Sequence, residues 1–156
     1  MKFDRRLTDE IYTSDMVRLG KNAFQAMRET IYHNGGVGTI TGYYDAELSI
    51  LSVSDLLLHN LNHSYASLME QTKGSLKNLF YKKDAAFLDN ARFRQLQGEG
   101  EGRILTADGA PVYVRLYKKD AVDTDGTPIW IMSVQMNWAY AVSYTHLRAH
   151  ETTLHL

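Results

Sequence analysis

GEGEGRILTADGAPVYVRLYKKDAVDTDGTPIWIMSVQMNW, residues 98–138, is the stretch whose reading decides the architecture. Two Asp-Gly pairs divide it, in Ala107-Asp108-Gly109-Ala110 and in Thr124-Asp125-Gly126-Thr127. Glycine takes positive φ without a Cβ penalty and aspartate tolerates the left-handed region, so Asp-Gly between apolar runs marks a hairpin. The stretch reads as an antiparallel meander with strands at about 102–107, 111–122 and 128–137. Val112, Val114 and Leu116 alternate with Tyr113, Arg115 and Tyr117, and Ile129, Ile131, Ser133 and Gln135 alternate with Trp130, Met132, Val134 and Met136. One face of such a sheet covers a core and the other meets a flanking helix or a partner.

Upstream, residues 37–44 and 48–54 are β-rich and joined by Asp45-Ala46-Glu47, giving a first hairpin. Short helices are expected at 55–61, capped by Ser54 or Asp55, at 65–71 and at 75–80, with a longer one over 84–97 that Gly98, Gly100 and Gly102 end. Residues 8–33 read as one helix capped by Thr8 or Asp9 and stopped by Asn34-Gly35-Gly36. Its apolar stripe is Met16, Leu19, Ala23, Met27 and Ile31. The stripe suits either packing on the helix's own domain or a dimer-forming signalling helix, with Met16, Leu19, Met27 and Ile31 as the interface. The organisation is then a flanking helix over 1–36, a domain over 37–138 and a tail over 139–156.

Composition bounds the function. Hydrophobic residues make up 44% and charged residues 22%, ordinary for a globular chain of 156 residues. The net charge of −1 supplies no electrostatic footprint for nucleic acid or an anionic membrane. Cysteine is absent, which excludes disulfides, thiolate metal ligands and cysteine nucleophiles and fits a cytoplasmic location. The N-terminus lacks the apolar centre of a signal peptide, and no run reaches the roughly 18 apolar residues of a membrane-spanning helix.

The ordered set of segments resembles a PAS domain, a small sensor module. Gly42-Tyr43-Tyr44-Asp45 through Ser54 resembles its opening hairpin, and Leu61-Asn62-His63-Ser64-Tyr65 with Leu68, Thr72, Lys73, Gly74 and Leu79 its helical stretch. Gly100 to Arg103, Asp108-Gly109 and Val114 resemble the third strand and its turn, and Asp123 to Pro128 leading into Ile131 to Gln135 the last turn and strand. Asn62-His63 replaces the usual glycine-tyrosine, and Lys73-Gly74 reverses the usual order. The overall likeness is to N-terminal PAS modules of bacterial sensor histidine kinases and diguanylate cyclases. The resemblance implies an α+β fold: a five-stranded antiparallel sheet, short helices on one face and an N-terminal flanking helix. It implies a regulatory, non-enzymatic role: binding a small molecule, or relaying a conformational change to an output domain, with homodimerisation as a further expectation. A ligand-free interaction module and a small cup-shaped enzyme are the alternatives.

Candidate ligand contacts are Tyr113, Arg115, Trp130 and Gln135, polar or amphipathic residues on the strands that form the cup. No cofactor is expected. Asn90-Ala91-Arg92-Phe93 superficially resembles a flavin photosensor motif, but Ala91 stands where the adduct-forming cysteine belongs. Haem and metal are disfavoured because His59 and His63 lack a third ligand nearby and His63 sits at a helix boundary. The glycines at 35–38 and 98–102 lack the Lys-Ser/Thr ending of a phosphate loop, and Lys82-Lys83 and Lys118-Lys119 read as solvated charge. No catalytic constellation is legible. The run VSYTHLRAHET, 142–152, resembles translated adapter sequence, which would put the end of native sequence near Tyr140; a genuine polar helix is the other reading.

Overall fold

The computed structural model describes residues 11–13, 19–34 and 38–136. Met16 and the tail over 139–156 therefore lie outside the described residues. The elements run β1 (Ile11–Thr13), α1 (Lys21–Asn34), β2 (Gly38–Tyr43), β3 (Ile50–Ser54), α2 (Asp55–Asn60) and α3 (Tyr65–Thr72). Two 3-10 segments, Leu76–Asn78 and Lys82–Leu88, then lead into α4 (Asn90–Gln95), β4 (Gly98–Leu105), β5 (Pro111–Val122) and β6 (Pro128–Gln135). All strand pairs are antiparallel, in the order β1-β3-β2-β6-β5-β4.

The expected five strands are β2 to β6, and β1 adds a short sixth at the β3 edge, with Tyr12 opposite Val53. Both meander turns form. Gly109 and Gly126 take φ of 82° and 79°, and the Gly109 and Gly126 amides donate to the carbonyls of Thr106 and Asp123. Each loop is thus a turn closed by a left-handed glycine; the two aspartates stay at negative φ, so only the glycine of each pair needs the left-handed region. In the second loop the Asp123 carboxylate also accepts from the amides of Asp125 and Thr127, both at 2.9 Å.

Four expected elements are corrected. The helix over 8–33 is instead strand Ile11–Thr13 followed, after a break, by helix Lys21–Asn34. Gly20 opens that helix by accepting from Phe24, and it lies so close to Thr124 that a Cβ there would stand 2.8 Å from the methyl carbon. The helix over 84–97 is a 3-10 segment and a separate α4, because the Asp89 carboxylate caps the amides of Ala91 and Arg92 and starts a new helix. The glycines at 98–102 do not end a helix; they begin β4, where a Cβ on Gly102 would press 3.0 Å against the Phe80 ring. Of the smaller helices, α2 starts at Ser54 as expected, α3 carries a reciprocal Ser64–Ser67 cap, and the helix expected over 75–80 is only the 3-10 turn Leu76–Asn78.

Strand alternation sorts the side chains into two cores. One face carries Ile40, Val114, Leu116, Trp130, Met132 and Val134 against Leu57, Leu58 and Leu61 of the α2 region, Leu68 of α3 and Phe93 of α4. The other carries Leu51, Ile129 and Ile131 against Leu19, Ala23, Phe24, Ala26 and Met27 of the α1 region. Each fully buried leucine or methionine contributes about 1.5–3 kcal/mol. The helices thus cover both faces. Polar bonds fasten α1 as well: the Asn34 side-chain amide donates to the carbonyls of Arg115 and Ser133, both at 3.1 Å, and the Ser133 hydroxyl to Thr30.

Candidate functional site

On β5, Val112, Val114, Leu116, Lys118 and Asp120 share one face by the two-residue period of a strand. The face is apolar until Lys118, which lies opposite Met132, and Asp120, opposite Trp130. The Lys118 side chain is fully buried. Its ammonium donates to the Leu96 carbonyl at 2.9 Å and to Asp120 at 3.0 Å. It also lies 5.1 Å from the centre of the Tyr44 ring and 5.2 Å from that of Phe93, within cation–π range. The Asp120 carboxylate accepts from the Tyr44 hydroxyl and from the Gln97 amide as well. Arg94 stands over the Tyr44 ring at 4.8 Å. Segments distant in sequence thereby meet: the residue after β2, helix α4 with its C-terminal cap, and the end of β5.

Burial sets the protonation states. It pushes the Tyr44 hydroxyl far above the ordinary phenol range, helped by its bond to Asp120. It draws the Lys118 ammonium below the ordinary lysine value, against the opposing pull of Asp120. Burial alone would raise Asp120, but the hydrogen bonds from Tyr44, Lys118 and Gln97 outweigh it and hold the carboxyl below its usual range. The carboxylate is therefore the fixed charge around which the phenol and the ammonium are arranged.

Tyr44 also walls a cleft. Tyr43, Tyr44, Asp45, Arg94, Thr127 and Pro128 line an open depression of about 430 Å³ at the end of the sheet. Helix α4 is anchored beside it by Asn90, whose side-chain amide donates to the Asp45 carbonyl at 3.2 Å. Beneath Tyr43, the Trp130 indole donates to the Tyr43 carbonyl at 2.9 Å and meets Phe93 edge-on at 5.6 Å between centres. The interior of the cup is thus occupied by Trp130 and Phe93, and open space remains at its rim.

Trp130 faces this interior, whereas Tyr113, Arg115 and Gln135 lie on the α1 face of the sheet, Arg115 directly opposite Gln135. The four candidate ligand contacts do not converge, because the strand period assigns Trp130 to the other side. Leu19 and Met27 are 0% and 1% exposed inside the α1 core of their own chain, and Ile31 packs half-buried against the same cluster. Leu19 and Met27 are taken up by the sheet and offer no surface to a partner. His59 is exposed on α2, while His63 is buried beyond its end, its Nδ1 paired with the Ser67 hydroxyl at 2.7 Å, so the two share no helix face. Among the described residues no cluster of histidine, aspartate and glutamate is suited to hold a metal ion, and no helix is long and apolar enough to cross a membrane.

Lys118 corrects the reading of Lys118-Lys119 as solvated charge: Lys119 lies on the α1 face and pairs with Glu29, but Lys118 points into the core. The missed signal was parity, since Lys118 falls in phase with Val114 and Leu116.

No protein-family model matches the chain, and no curated protein does. Among solved structures it is similar to the PAS domain of an HTR-like protein from Haloarcula marismortui, with a TM-score of 0.51, 14% identity and coverage of 72% of this chain and 96% of that one. The fold is that of a PAS domain. At this identity the likeness concerns the PAS fold alone, with β3-β2-β6-β5-β4 as its sheet and α2 to α4 over the inner face. A structure of the photo-excited blue-light photoreceptor Vivid is also similar, with a TM-score of 0.46, 13% identity and coverage of 64% of this chain and 77% of that one.

Proposed function

We propose that this chain is the sensor module of a signalling protein, regulatory rather than catalytic, which takes a small molecule at the rim cleft and passes the change to an output domain. The single observation that carries the reading is the cleft itself: an open depression walled by Tyr43 and Tyr44 and by Asp45, Arg94, Thr127 and Pro128, in which Tyr44 is hydrogen-bonded to Asp120, the half-exposed partner of the buried Lys118. A ligand there contacts a residue already wired to the centre of the sheet. The PAS fold supports the sensor reading, and a bacterial histidine kinase or diguanylate cyclase remains the proposed parent, acting in the cytoplasm. Homodimerisation, if used for output, must employ a surface other than Leu19 and Met27. The packed interior around Trp130 and Phe93 favours a rim ligand over an enclosed cofactor.

The test is a two-dimensional NMR screen of small organic acids, amines and aromatic metabolites against the labelled chain. A binder should perturb Tyr43 to Asp45, Arg94 and Thr127 first, and Arg94→Ala should weaken it at least several-fold. If no compound perturbs these residues, or perturbations cluster on the α1 face, the sensor site is misplaced.

A further inference from the structure

We propose that the interior of this domain holds a preformed seat for a primary ammonium group, filled by the chain's own Lys118, so that the module is self-liganded. Around the Lys118 nitrogen stand a carboxylate at 3.0 Å, a backbone carbonyl at 2.9 Å and the rings of Tyr44 and Phe93 at 5.1 and 5.2 Å. These are the groups that recognise a free alkylammonium ion: directed acceptors, a counter-charge and aromatic faces. None of them depends on the lysine alone for its position. The Asp120 carboxylate is held by Tyr44 and Gln97, the Leu96 carbonyl belongs to the cap of α4, and Phe93 is locked edge-on against Trp130. The lysine stem enters from the middle of the sheet, at a position where the strand period calls for an apolar residue.

This goes beyond the rim cleft and is independent of what that cleft binds. A fully buried ammonium is not a favourable way to fill a core, since its desolvation offsets much of the attraction to the half-exposed Asp120 carboxylate. Its presence in the cup makes sense as an internal ligand that holds the Asp120 carboxylate where the Tyr44 hydroxyl binds it. Emptied of lysine, the same seat should accept an external amine of matching length.

Lys118→Ala removes a piece with the length and charge of n-propylammonium. Thermal unfolding of the full chain is followed with n-propylammonium chloride, and with propan-1-ol and sodium propionate at matched ionic strength. The expected result is a saturable rise in the melting temperature of Lys118→Ala with n-propylammonium only, and no such rise for the unsubstituted chain. A rise of equal size with propan-1-ol, or an equal rise in the unsubstituted chain, overturns the proposal. A second variant covers failure of Lys118→Ala to fold. Because the chain has no cysteine, the thiol of Lys118→Cys is unique. Unfolded protein is alkylated with 2-bromoethylamine, which rebuilds a lysine-like ammonium through sulfur, or with 2-bromoethanol, its neutral counterpart, and refolded. The aminoethyl form should regain the unsubstituted melting temperature and the hydroxyethyl form should not. Equal melting of the two forms shows that the site wants bulk, not an ammonium, and overturns the proposal.

Discussion

Gly42→Ala should remove a large share of this domain's stability, although it adds one methyl group to a strand. A Cβ at Gly42 would lie 2.2 Å from the Ser49 carbonyl oxygen and 2.2 Å from Cζ2 of Trp130. Neither neighbour gives way cheaply. The Ser49 carbonyl accepts from the Tyr43 amide at 2.9 Å, across the bulge where the β2–β3 register shifts. The Trp130 ring is fully buried, with its indole nitrogen bonded to the Tyr43 carbonyl and its face against Phe93. Overpacking costs about 1–3 kcal/mol, and each of the two hydrogen bonds put at risk adds about 1 kcal/mol. A total of about 3–5 kcal/mol follows, against a net stability of about 5–15 kcal/mol for a typical domain. Urea unfolding monitored by far-ultraviolet circular dichroism measures it. Trp130→Phe alone should cost about 2–3 kcal/mol, but combined with Gly42→Ala it should be less than additive by at least about 1 kcal/mol, because the smaller ring relieves one of the two clashes. A Gly42→Ala loss below about 1 kcal/mol would refute the reasoning, since it would mean that the strand and the indole sit farther apart than described.

Replacing Leu19 and Met27 together by glutamate should abolish folding, because two unpaired charges would enter the α1 core; a folded, merely monomeric product in sedimentation and circular dichroism would show the stripe to be surface. Asn34→Ala should cost about 1–3 kcal/mol by removing the two side-chain hydrogen bonds to the Arg115 and Ser133 carbonyls, and hydrogen exchange should quicken in α1 before it does in α3. Burial lowers the His63 pKa below 6.5, against the opposing pull of Gln71, so the unfolded chain binds the extra proton first. Stability contributed there is complete above about pH 6.5 and declines as the pH falls from that value toward the folded pKa; His63→Asn should flatten this segment of a stability–pH profile, and an unchanged slope would count against it.

The meander was legible because its information is local. Gly109 and Gly126 each sit where a positive φ is required, and apolar alternation fixes the strand period on either side. The cap Ser54 was legible for the same reason. The N-terminal stretch misled because its helical apolar period over 8–33 outweighed Gly20, whose effect is decided by tertiary contacts: its approach to Thr124 and the pairing of Tyr12 with Val53. Asp84 to Gln97 misled in the opposite way, since Asp89 was available as a cap in the sequence but was read as helix interior. The site was the least legible part. Tyr44, Arg94, Lys118 and Asp120 lie on separate segments, and only the sheet order and the α4 docking bring them together. The strand candidates Tyr113, Arg115 and Gln135 lie on the α1 face, away from these four.

The choice of a lysine at the heart of β5 bears on how the two ends of the site act together. If stability were the only requirement, an apolar residue at the buried position 118 would serve as well as Lys118 or better. What the charged pair adds is direction. It fixes the Tyr44 hydroxyl on one carboxylate oxygen and the Gln97 amide on the other, which ties the residue after β2 to the cap of α4. Tyr44 is also a wall of the rim cleft, with Arg94 lying over its ring. A molecule entering the cleft that draws Arg94 or Tyr44 toward itself must strain the bond to Asp120, and through it the Lys118 contact with the Leu96 carbonyl. The β5 end and the α4 cap then shift together or not at all, and β5 is the strand on whose opposite face α1 is fastened through the Arg115 carbonyl. On the proposed sensor reading, Tyr44 is the side chain that joins the rim cleft to the Asp120 end of β5.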